Sequence, residues 1–382
     1  MSIKEISNKD VIWSYLAQVF SVLSGLITLP LILKLLSTEE IGMNYLILTL
    51  GSLVALFDFG FAPQFGRNIT YIFSGSQKLF KEGVAVSDMS LGINYRLLAT
   101  MILTAKHVYR RLAVFVLFVM LFFGSTYVYT VTNGFTNINH ALEIWVVYSF
   151  SIFFKIYYSY YSALLLGKGL ILETKKAMVY SKLVYVLLTF IFLYSDLGLF
   201  GVVLANLISP FVSRFISFKY FFTKDLNNKI KVYEISKEEK LELFRTIWHN
   251  AKKLGLVFIG SHAISKLSIF LAGLYLSLSD IASYGLMIQI FALLSTISGM
   301  IFSVYQPRFS SLRSSNNIKV LKEEFAFSMN IYYLTFIIGA FILIYTGPDL
   351  LIFIGSNATL PSKSILILFS IVVFLEGNHS NF

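Results

Sequence analysis

Residues 11–36 read VIWSYLAQVFSVLSGLITLPLILKLL, 26 positions in which Lys34 is the one charge. An α-helix needs about 20 apolar residues to cross the ~30 Å hydrocarbon core of a bilayer. The run is too long for the core of a signal peptide and no small-residue cleavage site follows it, so an uncleaved transmembrane helix is predicted. Eight further segments of suitable length lie at 41–63, 112–131, 141–163, 177–194, 199–220, 254–276, 281–305 and 326–345. A tenth begins at Ile365, but its apolar run stops at Leu375, before Glu376-Gly377-Asn378-His379-Ser380-Asn381-Phe382. Eleven residues at about 1.5 Å each cannot cross the core, so the sequence is expected to stop within a span.

Composition agrees with this reading. Of 382 residues, 57% are hydrophobic and 13% charged, and the mean hydropathy is +0.74. A soluble domain has about 25% charged residues, and no single core would hide this much apolar surface. Cysteine is absent, which excludes disulfides, thiolate metal sites and cysteine nucleophiles.

The formal charge is +11, from 31 Lys and Arg against 20 acids. With the N-terminus inside, the connections expected in the cytoplasm hold 25 of the basic residues, and the outer ones hold only Lys34 and Lys363. This asymmetry is the positive-inside rule, so a cytoplasmic N-terminus is predicted. Basic residues spread over short loops, with no groove or stacking motif, exclude nucleic acid and suit the anionic headgroups of the inner leaflet. Helical spacing of Leu97, Met101, Ala105 and Val108 predicts an interfacial helix over 96–111. The Lys-, Asn- and Glu-rich stretch 223–253 reads as a solvated linker.

A shift of 240 residues lays Ser37-Thr38-Glu39-Glu40-Ile41-Gly42 on Ser277-Leu278-Ser279-Asp280-Ile281-Ala282, each a short outer turn between long helices. Six spans separate the copies, so both run in one direction. This predicts an all-α polytopic bundle of two parallel six-helix lobes, with about ten spans present and the last two missing. Its divisions are a six-span lobe at 1–222, the linker at 223–253 and an incomplete lobe of about four spans at 254–382.

Four basic residues remain inside the spans: Lys155, Lys182, Arg214 and Lys266. A charge at the bilayer centre costs about 2.5–3.5 kcal/mol even on insertion scales, so such groups normally face a protein interior or a wet cavity. Lys266 is the deepest, with His262 one turn before it; Lys155 sits among Phe153, Phe154, Tyr157 and Tyr158. For Lys182 and Arg214, nearer the inner ends of their spans, snorkelling to the headgroups is the alternative. Among acids, Asp58 lies near the inner end of the second span and is placed to pair with Arg67 or Arg214. Glu376 and His379, three residues apart, share a helical face. Pro30 and Pro210 interrupt spans and are candidate hinges, a static kink being the alternative.

Metal, nucleophile and nucleotide motifs are absent, and no long outer loop carries catalytic carboxylates, so an enzyme is disfavoured. A transporter with a cationic interior remains. Arg67, Lys155, Arg214 and Lys266 are the candidate anion-binding residues, and Asp58, His262, Glu376 and His379 the candidate proton-coupling groups.

The run Leu29-Pro30-Leu31-Ile32-Leu33-Lys34-Leu35-Leu36-Ser37, then Glu39-Glu40-Ile41-Gly42, Asp58-Phe59-Gly60-Phe61 and Gly66-Arg67-Asn68, resembles Wzx-type O-antigen repeat-unit flippases. These form the polysaccharide-transporter branch of the multidrug/oligosaccharidyl-lipid/polysaccharide exporter superfamily. The closing Phe374-Leu375-Glu376-Gly377-Asn378-His379-Ser380-Asn381-Phe382 is similar to part of that family's tenth span. The resemblance implies twelve spans in two lobes and transfer of an undecaprenyl-diphosphate-linked oligosaccharide to the outer leaflet of the bacterial inner membrane, for O-antigen and lipopolysaccharide biosynthesis. It implies no cofactor beyond a proton or sodium gradient. Membrane lipids, the polysaccharide polymerase and the chain-length machinery are its implied partners. A multidrug or metabolite cation antiporter of the same superfamily is the alternative.

Overall fold

The computed structural model describes residues 8–58, 60–81, 92–314 and 317–381. All its regular structure is helical among these residues. Helix α1 spans Asn8–Leu35 and α2 Thr38–Val54, followed by a 3-10 turn at Ala55–Asp58 and α3 at Phe61–Phe73. Next come α4 (Tyr95–Val119), one π-helical turn at Met120–Gly124 and α5 (Ser125–Val131). Helices α6 (Ala141–Tyr158), α7 (Tyr160–Gly167), α8 (Ile171–Tyr194) and α9 (Gly198–Phe221) complete the first half. Short α10 (Lys224–Lys231) leads to α11 (Lys237–Tyr275), and then to α12 (Leu278–Ser298), α13 (Met300–Ser314), α14 (Ile318–Ile354) and α15 (Lys363–Asn381). Eight segments among the described residues are long and apolar enough to cross a membrane, so the chain is a multi-pass membrane protein.

Several boundaries differ from the sequence reading. The expected spans 41–63 and 281–305 are each two helices, broken before Phe61 and after Ser298. At the first break Gly60 has φ +71, and a Cβ there would lie 2.7 Å from Leu254, so only glycine suits both the backbone and the neighbour. The expected outer loop at 346–364 is mostly helix, because α14 continues through Pro348 to Ile354. The last helix also exceeds its eleven-residue apolar run. It extends from Lys363 through Glu376 and His379, and 18 of its residues qualify as a span.

The repeat is visible in the helices themselves. Both of these turns carry the same cap: the Glu40 N–H donates to Ser37 Oγ at 3.2 Å and the Asp280 N–H to Ser277 Oγ at 3.1 Å. Helices α1 and α11 end 240 residues apart, and α2 and α12 begin 240 residues apart. The segments Tyr95–Val131 and Ile318–Ile354 that follow are each 37 residues long.

Packing divides the chain into one unit of Met1–Ile32 with Leu46–Tyr275, and a second of Leu33–Tyr45 with Leu276–Phe382. The sequence divided it at 222 and 253, following topology. Packing instead keeps all of α11 with the first unit, because Leu243, Ile247 and Ala251 are buried in one core with Phe61, Phe65 and Tyr109. Trp248 stacks on Phe61 at 5.5 Å, and further along α11 the Phe270 ring stacks on Tyr127 at 4.6 Å. The stretch read as a solvated linker is thus largely helix with an apolar face in that core. Arg96 Nε donates to Glu239 Oε1 at 2.8 Å across α4 and α11, and this bond holds the Glu239 carboxyl down to about 2.

The second unit has its own core of Met287, Phe291, Tyr332, Phe336 and Leu366. There α2 crosses α12 so closely that a Cβ on Gly42 would overlap the carbonyl of Leu278, which is backbone and cannot turn aside. Gly42→Ala would favour an isolated helix by about 0.5–1 kcal/mol, whereas overpacking costs about 1–3 kcal/mol. The variant is therefore expected to unfold several degrees below the wild type in detergent, and an unchanged midpoint would count against this close approach.

Candidate functional site

The expected site residues do not all converge. Arg67, on α3, is exposed and donates to Gln64 Oε1 at 2.6 Å, one turn away on its own helix. Asp58 pairs with neither Arg67 nor Arg214. Its Oδ1 accepts from the Tyr109 hydroxyl at 2.7 Å, and its Oδ2 from the Ala62 N–H at 3.2 Å, in the first turn of α3. This carboxylate ties the α2–α3 break to α4. Glu376 and His379 are exposed on α15, and Asn378 between them accepts from the Tyr333 hydroxyl. His262 and Lys266 fall on α11 within 256–267, whose side chains lie outside the described residues.

Pro30 and Pro210 each lie inside a continuous helix. The carbonyl freed by Pro210 is that of Asn206, and the Ser209 hydroxyl donates to it at 3.4 Å. Ser181 of α8 donates to the carbonyl of Ser209, the residue before the proline, at 2.6 Å.

What the structure does bring together is a set of cations in the first unit, on α6, α8 and α9. Arg214 is half-buried on α9, seven residues before the helix ends at Phe221. Its guanidinium carbon lies 5.7 Å from the Tyr158 ring and 5.6 Å from the Phe218 ring, distances at which a cation is attracted to the π face. Its Nε is buried without a hydrogen-bond partner among the described residues. Phe211 packs on Phe154 and Tyr158, at 4.7 and 5.6 Å, and completes the aromatic wall.

Three residues before Tyr158, the exposed side chain of Lys155 emerges from α6. The span Ala141–Gly167 places it twelve residues from one end and fourteen from the other, the middle of the crossing. Lys182 proves equally deep. Because α8 starts at Ile171 and not at the expected 177, Lys182 is eleven residues from one end and twelve from the other. Lys182, which the sequence left to the headgroups, is thus at the same depth as Lys155. Counting outward along both helices from the turn at 168–170 would have found it.

No protein-family model matches this chain, and no curated protein does. Its fold, however, matches solved structures. One is described as "Inward-facing conformation of a multidrug resistance MATE family transporter of the MOP superfamily", with a TM-score of 0.60 and 15% identity over 94% of this chain and 78% of the other. The chain has a MATE-like fold. A second structure, "Crystal structure of MATE in complex with Br-NRF", gives a TM-score of 0.50 at 14% identity over 98% and 95% of the two chains. A third, "Outward-facing conformation of a multidrug resistance MATE family transporter of the MOP superfamily", also gives 0.50, at 15% identity over 97% and 79%.

Asp58→Ala removes the acceptor of the buried Tyr109 hydroxyl and the half-buried Ala62 N–H and is expected to cost about 1–3 kcal/mol. Asp58→Asn keeps a carbonyl oxygen and should lose clearly less. Thermal unfolding of the two variants side by side checks this, and equal losses would show that the carboxylate's hydrogen bonds do not hold the break.

Proposed function

We propose that this chain is a flippase that moves an undecaprenyl-diphosphate-linked oligosaccharide repeat unit from the cytoplasmic to the periplasmic leaflet of a bacterial inner membrane, for surface polysaccharide such as O-antigen. The observation that carries the reading is the cationic set formed by Lys155, Lys182 and Arg214 beside a wall of Tyr and Phe. The described contacts of Lys155 and Arg214 include no carboxylate. Cations kept at this depth at a cost of about 2.5–3.5 kcal/mol each suit an anionic ligand. The rings suit the apolar faces of sugars and an acyl or prenyl chain. An inside-negative potential favours outward movement of an anion by about 2.3 kcal/mol per charge per 100 mV, so no nucleotide is required.

In this proposal Arg67 and Lys266 add to the attraction, and Pro30 and Pro210 serve as hinges. Asp58, His262, Glu376 or His379 carries a coupling proton, or a sodium gradient is used instead. The polymerase and chain-length machinery take the product at the outer face. The N-terminus is cytoplasmic.

A second reading, a multidrug or metabolite cation antiporter, draws on the solved structures, two of which are described as multidrug transporters. It requires carboxylates in the path and predicts that lipophilic cations are exported.

Deleting the gene is expected to accumulate a lipid-linked oligosaccharide on the inner leaflet, with no change in resistance to cationic drugs. Lys155→Glu, present in the membrane at wild-type level, should fail to restore surface polysaccharide. Full restoration by that variant, or loss of drug resistance with intact polysaccharide, would overturn the proposal in favour of the antiporter.

A further inference from the structure

Helix α4, with the π turn and α5 that continue it, runs 37 residues from Tyr95 to Val131, about 55 Å at 1.5 Å per residue. Its final stretch, from Leu112 to Val131, holds no charged residue and is long enough by itself to cross the ~30 Å hydrocarbon core. The stretch before it therefore projects from the core, and Lys106, His107, Arg110 and Arg111 are the last charges at that boundary. Met101, Ala105, Val108 and Tyr109 are buried in the core of the first unit, which leaves the opposite face of the helix outward.

On that face charge gives way to hydrocarbon within one turn. Residues four apart are neighbours on a helix. The column Lys106, Arg110, Val114, Phe118 and Phe122 passes from cations to apolar side chains, and every member of it is exposed. Beside it stand the half-buried His107 and the exposed Arg111 and Phe115. The Phe118 and Phe122 rings stack at 5.6 Å with their planes 8° apart, a flat apolar wall below the cations.

Like charges four apart destabilise a helix, and α4 has no acidic residue to offset them. Arg96, at its start, is taken by Glu239 of α11. Lys106, Arg110 and Arg111 form no ion pair among the described residues. The counterpart helix α14 differs, because its Lys319 and Lys322 are followed by Glu323 and Glu324. The excess charge on α4 is thus not a general need of such a helix. An anionic phospholipid meets both halves of the column, with phosphate for the cations and an acyl chain for the rings. Arginine grips two phosphate oxygens at once and lysine acts as a compact charge, and basic clusters beside a span attract anionic lipid. A soluble anion would leave the rings unused.

We propose that Lys106, Arg110 and Arg111, with His107 beside them, bind the headgroup of an anionic phospholipid whose acyl chain lies along Phe115, Phe118 and Phe122. This site is on a different helix from Lys155 and Arg214 and does not depend on what the protein transports.

The full chain in detergent, titrated with phosphatidylglycerol and separately with phosphatidylcholine while native mass spectrometry counts the bound lipid, tests the proposal. The wild type is expected to take up phosphatidylglycerol at about tenfold lower concentration. Lys106→Gln with Arg110→Gln should erase that preference and leave phosphatidylcholine binding unchanged, whereas Lys106→Arg with Arg110→Lys should keep it. Lys224→Gln with Lys231→Gln, which removes two equally exposed cations from α10, should also keep it. An unaltered thermal midpoint in phosphatidylcholine establishes that the variants fold. Should the first pair fail to fold, Arg111→Gln alone must lower the preference, and its full survival overturns the proposal. Equal binding of the two lipids by the wild type overturns it, as does a preference that survives in Lys106→Gln with Arg110→Gln. Equal loss in the α10 variant would reduce the effect to general surface charge and overturn the site. Glycerol phosphate, a headgroup without chains, competing as strongly as the lipid would overturn the role of the rings.

Discussion

Hydrocarbon offers no water to a peptide bond, so each amide and carbonyl of a spanning helix has to find its partner inside the protein. The long uninterrupted helices answer most of that demand, and the exceptions show what remains. At Pro210 the released carbonyl of Asn206 is met by the hydroxyl of Ser209. At the break before α3, two donors, the Ala62 N–H and the Tyr109 hydroxyl, converge on Asp58. A carboxylate in this position therefore has a structural reason to exist before any coupling role is asked of it. The same demand falls on charged side chains. Arg214 meets it with the faces of Tyr158 and Phe218.

The helical class and the repeat were open to reading because both rest on local chemistry. A 26-residue apolar run excludes other folds by length alone, and the Ser-x-x-acid cap is one motif at Ser37 and again at Ser277. The breaks were hidden for the opposite reason. Hydropathy records how apolar a residue is and not the direction of its backbone, so the runs 41–63 and 281–305 looked continuous although α3 begins anew at Phe61 and α13 at Met300. Thr346, Pro348 and Asp349 looked like loop formers, yet α14 carries them as helix.

At the site, Lys155 and Arg214 stood out as charges within apolar runs. Lys182 did not, because its span was counted from Ala177, after Glu173, Lys175 and Lys176, whereas the helix includes all three. Six residues at the start of a helix shift the apparent depth of everything after it by about 9 Å. The Asp58–Tyr109 bond joins residues 51 apart in sequence, and no local pattern announces a partner at that range. Arg67, drawn in by its motif, instead bonds within its own helix.

The stretch 223–253 is tied to the first unit at several points. Between α10 and α11 only residues 232–236 are outside helix, and both helices belong to the first unit. The start of α11 is itself fastened. Glu239 is bonded to Arg96, and because its carboxyl is held down to about 2 it stays ionised at any pH a cell reaches, so acid does not release it. The Asn250 side chain donates to the Lys81 carbonyl at 2.8 Å, and Trp248 stacks on Phe61. The chain passes between the two units after Ile32, after Tyr45 and after Tyr275. Pro30 lies two residues before the first of these crossings. It has no N–H to donate to the carbonyl of Leu26, so α1 is missing one of its hydrogen bonds there.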